Sequence, residues 1–352
     1  MTRGERSWLV LADGYLTTRN AKTAHGVMRY GPDRIAAVLD RDNAGRSLAD
    51  VLPEIGRDAP IVGTLEEGLE REPTSLLLGV ATPGGWVPEH WRAWTIGAIT
   101  AGLEIANGLH RFLRDDPELV ALASEHGARL WDVRDPPTDI PLFSGKNLDD
   151  PRHVVLTVGS DCAVGKMTAA LEIVDAARGS GVNAEFIATG QTGILIAGWG
   201  IAVDRAISDF LAGAAERLIE DANEESDILV IEGQGSLWHP AYAGVTLGLL
   251  HGSAPQVLVL CHQAGRVAIE EPPYTRLPPL SEMISVYEAS AATVRPARVA
   301  AIAVNCTGFE GAAREQILSD IEHETGLATA DPLKGGAAKL WAAIEDALSH
   351  SR

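Results

Sequence analysis

Short apolar runs alternate with helix-forming stretches along almost the whole chain, the one-dimensional signature of a parallel sheet with crossover helices. In the first part the runs are Trp8-Leu-Val-Leu11, Ile35-Ala-Ala-Val-Leu-Asp40, Pro60-Ile-Val-Gly63 and Ser75-Leu-Leu-Leu-Gly-Val80. Lys22-Thr-Ala-His-Gly-Val-Met-Arg-Tyr30 is the expected first crossover helix. The pattern restarts near residue 153 with Val154-Val-Leu-Thr-Val158 and continues through strands near Ala184–Ile187, Ile228–Ile231, Val257–Leu260 and Val299–Val304. Between the halves, Asp132-Val-Arg-Asp-Pro-Pro-Thr-Asp-Ile-Pro141 combines prolines with charge, which places a domain boundary there. The expectation is two α/β domains, residues 1–140 and 141–352, without internal repeats.

The second half opens on the most informative segment. After the strand come Gly159-Ser-Asp-Cys-Ala-Val-Gly-Lys166, Met167 and Thr168, then a helical stretch. A glycine-bounded turn that feeds a helix N-terminus offers unpaired N–H groups and partial positive charge, and Lys166 adds a full one, so the segment suits a polyphosphate. The expected binding set is Gly159, Ser160, Asp161, Cys162, Ala163, Val164, Gly165, Lys166, Met167 and Thr168. Two departures from the usual loop bear on mechanism. Five residues, not four, separate the glycines, and Met167 stands where a magnesium-ligating hydroxyl normally follows the lysine.

Further strand ends of a parallel sheet open onto the same crevice. Asp227-Ile-Leu-Val-Ile-Glu-Gly-Gln-Gly-Ser236 puts Glu232 there, to bind a metal or accept a proton, or simply to cap a turn, with Gln234 between two glycines. Ala188-Thr-Gly-Gln-Thr-Gly-Ile194 is expected to form a second wall through Gln191 and Thr192, followed by Asp204 and Arg205. His239 is the best-placed histidine for proton transfer, with packing as the alternative, and His262 ranks next. Asn305, at another strand end, would read an adenine edge or close a turn. Asp40 ends the second strand where dinucleotide folds keep a ribose-binding acid, yet the first turn lacks G-x-G-x-x-G, so a scaffolding or substrate-covering role competes.

Composition narrows the function classes. A 352-residue chain with 46% hydrophobic and 22% charged residues can build two ordinary cores. A net charge of −19 repels nucleic acid and anionic membranes, so any anion must be held by a local site. Cys162, Cys261 and Cys306 are too few and scattered for a disulfide framework, and no Cys/His spacing resembles a zinc site, so no metal is expected. The N-terminal segment from Met1 to Val10 lacks an apolar leader region, and no apolar run approaches membrane-spanning length, which points to the cytoplasm.

The segments 159–168, 188–194, Ile-Glu-Gly-Gln-Gly-Ser-Leu at 231–237, His-Pro-Ala-Tyr at 239–242 and Lys-Thr-Ala-His-Gly at 22–26 together resemble the DUF1611 family, which includes a D-glutamate N-acetyltransferase. The resemblance covers nearly the whole chain. It implies an α/β fold: an N-terminal Rossmann-like domain (1–140) followed by a P-loop NTPase-like three-layer α/β/α domain (141–352) with a mostly parallel sheet. It further implies acetyl transfer from acetyl-CoA to the amine of an acidic amino acid, with the loop and Asn305 on the cofactor. Lys166, Glu232 and His239 would be catalytic, and Gln191, Thr192, Asp204, Arg205 and Gln234 would bind substrate, Arg205 or Arg266 pairing with a substrate carboxylate. The partner implied is a small-molecule substrate in a homo-oligomer, with neither nucleic acid nor membrane. More distantly the loop is similar to that of dethiobiotin synthetase, whose five-residue spacing it shares. That likeness implies the alternative of an ATP-dependent ligase or kinase using magnesium, and a non-catalytic nucleotide sensor is a third possibility.

Overall fold

The computed structural model describes residues 5–82, 87–270 and 275–350. The first four residues of the N-terminal segment lie outside them. Two compact units result, Met1–Asp135 with Gln191–Ala202, and Pro136–Gly190 with Val203–Arg352.

The first unit is built on six strands, β1 (Ser7–Leu11), β2 (Arg34–Leu39), β3 (Ile61–Val62), β4 (Ser75–Leu78), β5 (Glu104–Asn107) and β6 (Leu130–Asp132). They lie in the order β3-β2-β1-β4-β5-β6, every pair parallel, which is the Rossmann order with its reversal between β1 and β4. Trp8, Leu9, Val10 and Leu11 of the central strand have no exposed surface, as a strand covered on both faces requires. The helix Lys22–Tyr30 forms where the apolar spacing places it. A later helix, Pro117–His126, starts on an Asp116 side-chain cap with proline in its first turn and stops at Gly127.

The second unit carries β7 (His153–Gly159), β8 (Ala184–Ile187), β9 (Ile228–Ile231), β10 (Val257–Gln263), β11 (Arg298–Asn305) and β12 (Ala328–Ala330). Their order is β12-β11-β10-β7-β9-β8 and every pairing is parallel, where a mostly parallel sheet was expected. Val257, Leu258, Val259 and Leu260 are fully buried, each contributing about 1.5–3 kcal/mol of hydrophobic stabilisation. The chain runs from β7 to one side of the sheet and later returns to the other side with β10. The crevice beyond the carboxyl ends of β7 and β10 is thus a switch point, the usual place for a ligand in an open α/β sheet.

Candidate active site

The phosphate-loop segment occupies that switch point. β7 ends at Gly159, and the helix Lys166–Gly179 begins after Gly165, whose φ of +99° is open to glycine alone among ordinary residues. Gly165 supplies no side-chain cap, so the first-turn N–H groups of the helix face outward. Ala163 takes a left-handed φ of +54°, a conformation that costs a non-glycine residue about 1–2 kcal/mol and is typical of loops under functional constraint. Close packing fixes the rest. The Tyr287 hydroxyl donates to the Gly159 carbonyl at 2.7 Å, the Ser236 hydroxyl donates to the Ser160 carbonyl at 3.0 Å, and the Ser160 hydroxyl meets His262 Nδ1 at 2.9 Å.

Lys166 is buried, and its ammonium donates to the Asp161 carbonyl at 2.9 Å, bending the lysine back over the loop. A side chain on Gly159 would come within 2.7 Å of that ammonium, so glycine is required for the lysine to lie there. Glu232, just past β9, stands at the same edge. A Cβ on its neighbour Gly233 would lie 1.6 Å from the Thr157 carbonyl and 3.1 Å from Lys166 Cδ, so lysine and glutamate turn share one narrow space. Glu232 Oε2 accepts from the N–H groups of Thr189 and Gly190, both at 3.1 Å, and Gln234 Nε2 donates to Thr189 Oγ1 at 3.1 Å.

The electrostatics follow from burial. Desolvation pushes the Glu232 carboxyl up to about 7, against the opposing pull of these hydrogen bonds and of Lys166. Desolvation lowers Lys166, opposed by Cys162, Cys261, Asp161 and Glu232. Each group is therefore displaced towards its neutral form. His262 is driven the other way from a useful acid, down to about 4 by burial and by Arg266. His239 is buried and packs against Tyr242 with ring centroids 4.5 Å apart and the planes tilted by 36°.

The remaining candidates are distributed unevenly. Met167 and Thr168 lie half-buried on the first turn of the loop helix. Asn305 borders Gly165, and its side-chain oxygen accepts from both the N–H and the hydroxyl of Thr307, closing a turn. Asp204 and Arg205 are exposed on a short turn that Val203 ties to the Thr189 carbonyl at 3.1 Å. The wall expected at 188–194 is divided. Thr189 and Gly190 stay with Glu232, whereas Gln191 and Thr192 open the helix Gln191–Ala197 and belong to the first unit. There Arg134 donates to Gln191 Oε1 at 2.8 Å, and Thr192 shares a hydroxyl hydrogen bond with Thr23 at 2.9 Å. Arg266, read as a possible substrate clamp, is committed internally to Asp161, Gln263 and Glu270. In the first unit both oxygens of Asp40 are engaged, by the Gly14 N–H and the Asn43 amide, which is a turn-capping role.

Sequence spacing gave no hint of one grouping. Donor atoms of Asp161, Cys162 and His239 lie within 4.8 Å of one another. Only the return of the chain beyond β9 brings His239 to the loop, so no local spacing rule could mark it.

Comparison with known proteins settles the ancestry of this arrangement. The model of a domain of unknown function described as the DUF1611_C P-loop domain matches residues 141–341, and that of the DUF1611_N Rossmann-like domain matches 41–136. The chain belongs to the DUF1611 family. It is 36% identical over 321 residues to a D-glutamate N-acetyltransferase of Tritonibacter scottomollicae, covering 91% of this chain and 92% of that protein. A D-glutamate N-acetyltransferase of a Pseudoalteromonas species is 40% identical over 263 residues, 74% of this chain and 78% of its own length. The crystal structure of a DUF1611 family protein from Anabaena variabilis superposes with a TM-score of 0.92 at 38% identity, covering 97% of this chain and all of that one. DUF1611 membership thus extends over both units. No helix among the described residues is long and apolar enough to cross a membrane.

Proposed function

We propose that this chain is an N-acetyltransferase that moves the acetyl group of acetyl-CoA onto the amine of an acidic amino acid, D-glutamate. Two relatives bearing that name at 36% and 40% identity support the reaction class and the acceptor. The observation that carries the chemistry is the meeting, at one strand edge, of an uncapped helix N-terminus with a buried carboxyl poised near neutrality. The loop amides and Lys166 suit the phosphates of coenzyme A, the more so because Met167 replaces the hydroxyl that a magnesium nucleotide would need.

Aminolysis of a thioester requires a neutral amine. Glu232, with a pKa near 7, accepts the proton of the substrate ammonium, and His239 is the second base within the same turn region. The amine nitrogen bonds to the acetyl carbon, the carbon–sulfur bond breaks, and the coenzyme leaves as thiolate that takes up the second proton lost by the nitrogen, while the first passes from Glu232 to solvent. Positive charge and N–H donors stabilise the developing oxyanion. Gln234 and Arg205 are the proposed partners of the substrate's polar groups, with Asp204 beside Arg205 and Asn305 on the cofactor. Because acetyl-CoA is made inside cells, the same reading puts the protein in the cytoplasm, and light scattering checks the expected homo-oligomer.

The test is thiol release from acetyl-CoA with D- and L-glutamate, D-aspartate and water as acceptors, with the product identified by mass. Release that depends on D-glutamate, and N-acetylglutamate as product, are expected. Magnesium-dependent formation of ADP from ATP, without thiol release, would instead establish the ligase or kinase alternative.

A further inference from the structure

We infer that Asp161, Cys162 and His239 form a binding site for one divalent cation of the zinc or cobalt type at the mouth of the phosphate loop. A carboxylate oxygen, a thiol sulfur and an imidazole nitrogen all lie within 4.8 Å of one another. Asp161 has no exposed surface and His239 is 4% exposed, so two of the three donors have already given up their water to folding. The set is chemically selective. Thiolate and imidazole favour zinc and cobalt, whereas magnesium takes oxygen donors and keeps its waters. Three protein ligands also leave a coordination position open, the pattern of catalytic zinc and not of closed structural sites.

The surroundings hold the carboxylate as an outer shell would. The Cys162 N–H donates to Asp161 Oδ1 at 2.7 Å, and Arg266 and the Glu270 N–H, the latter at 2.9 Å, hold Oδ2. Hydrogen-bonded carboxylates of this kind are the common supports of metal ligands. Arg266 pairs with Asp161 and the Lys166 side chain donates to the Asp161 carbonyl, so a divalent ion at this cluster adds positive charge beside outward-facing helix N–H groups. A polyphosphate in the loop offsets that charge, so cation and phosphate strengthen each other's binding. The coupling rests on the reading of the loop given under Proposed function, while the metal site itself does not, and with the ion bound His239 serves as a ligand and leaves Glu232 as the base.

Equilibrium dialysis of the full chain against zinc chloride, with metal counted by mass spectrometry, is the direct test. One zinc per chain is expected, with pyrophosphate tightening it about tenfold. Cys162→Ser and His239→Ala should each weaken it by at least about 100-fold, the upper range for losing even an outer-shell partner. Cobalt chloride reports the ligand itself, since wild type should show a thiolate-to-cobalt charge-transfer band that Cys162→Ser lacks. That wild-type spectrum decides the matter even if a variant fails to fold. Less than stoichiometric zinc with and without pyrophosphate, no thiolate band, or unchanged retention in both variants would each overturn the site. Stoichiometric zinc that pyrophosphate does not tighten would keep the site and remove phosphate from the loop.

Discussion

Both units expose buried acids at the carboxyl edge of a parallel sheet, yet the two edges are in opposite electrostatic states. In the first unit, burial raises Asp13, but hydrogen bonds from the Arg41 side chain and backbone and from His90 outweigh it and bring the carboxyl down to about 2. Asp40 beside it is capped on both oxygens. In the second unit Glu232 has two backbone N–H groups, a glutamine and the buried Lys166 against its desolvation, and it still rises to about 7. One fold type therefore yields a saturated acid that holds a turn and an unsaturated one that can move a proton. The difference lies in the partners: an arginine reaches Asp13, whereas the cation beside Glu232 is a buried lysine that is itself pushed towards neutrality.

The largest effect expected from breaking this contrast is at Lys166. Lys166→Ala removes the charge at the loop and should lower kcat/KM for acetyl-CoA by about 10²–10³, the range for losing one preorganised charge-stabilising donor. A titration with acetyl-CoA checks it, and unchanged affinity and turnover would move the site elsewhere. Next comes Glu232→Gln, which keeps an acceptor for Thr189 and Gly190 but not the base, so kcat should fall by about 10²-fold. Stability should move oppositely. Because the folded carboxyl titrates above its unfolded value, its contribution is fully present below about pH 4.5 and is lost as pH rises through about 7. Urea unfolding should accordingly find Glu232→Gln no more stable at pH 4 but more stable at pH 8, by at most about 3 kcal/mol. For wild type, kcat should climb through about pH 7 and level off above it, in the same window where stability declines.

How much of this was legible follows from the length and polarity of each segment. Strands with apolar runs, such as Trp8–Leu11 and Val257–Leu260, announced themselves, and the glycine spacing around Lys166 located the loop. β6 and β12 are three residues each, and β5 reads Glu-Ile-Ala-Asn, so none offers a run long enough to register against its surroundings. Glu232 was readable because a strand end followed by Gly233 is a local event. The transfer of Gln191 and Thr192 to the first unit was not, since it is decided by partners such as Thr23 and Arg134, remote in sequence. The approach of His239 to Asp161 and Cys162 depends on the return of the chain after β9, which no spacing encodes.

The smallest effect on turnover is expected at the saturated edge, and it sharpens the contrast most. Asp13→Asn keeps one acceptor oxygen for the Arg41 N–H but gives up the charge that holds the guanidinium and His90. Its folded pKa lies below the unfolded value, so its stabilisation is present above about pH 4 and fades as pH falls through about 2. At pH 7 the substitution should cost about 1–2 kcal/mol, discounted because the Arg41 and His90 side chains are about half exposed and screened by solvent. If the first edge serves the fold alone, kcat/KM should stay within about twofold, since only interactions that change in the transition state alter it. Thermal unfolding and thiol release measured on the same preparation separate the two quantities. A large loss of kcat with little loss of stability would mean that the satisfied acid takes part in the reaction, and that saturation in the free protein is a poor guide to which edge performs the chemistry.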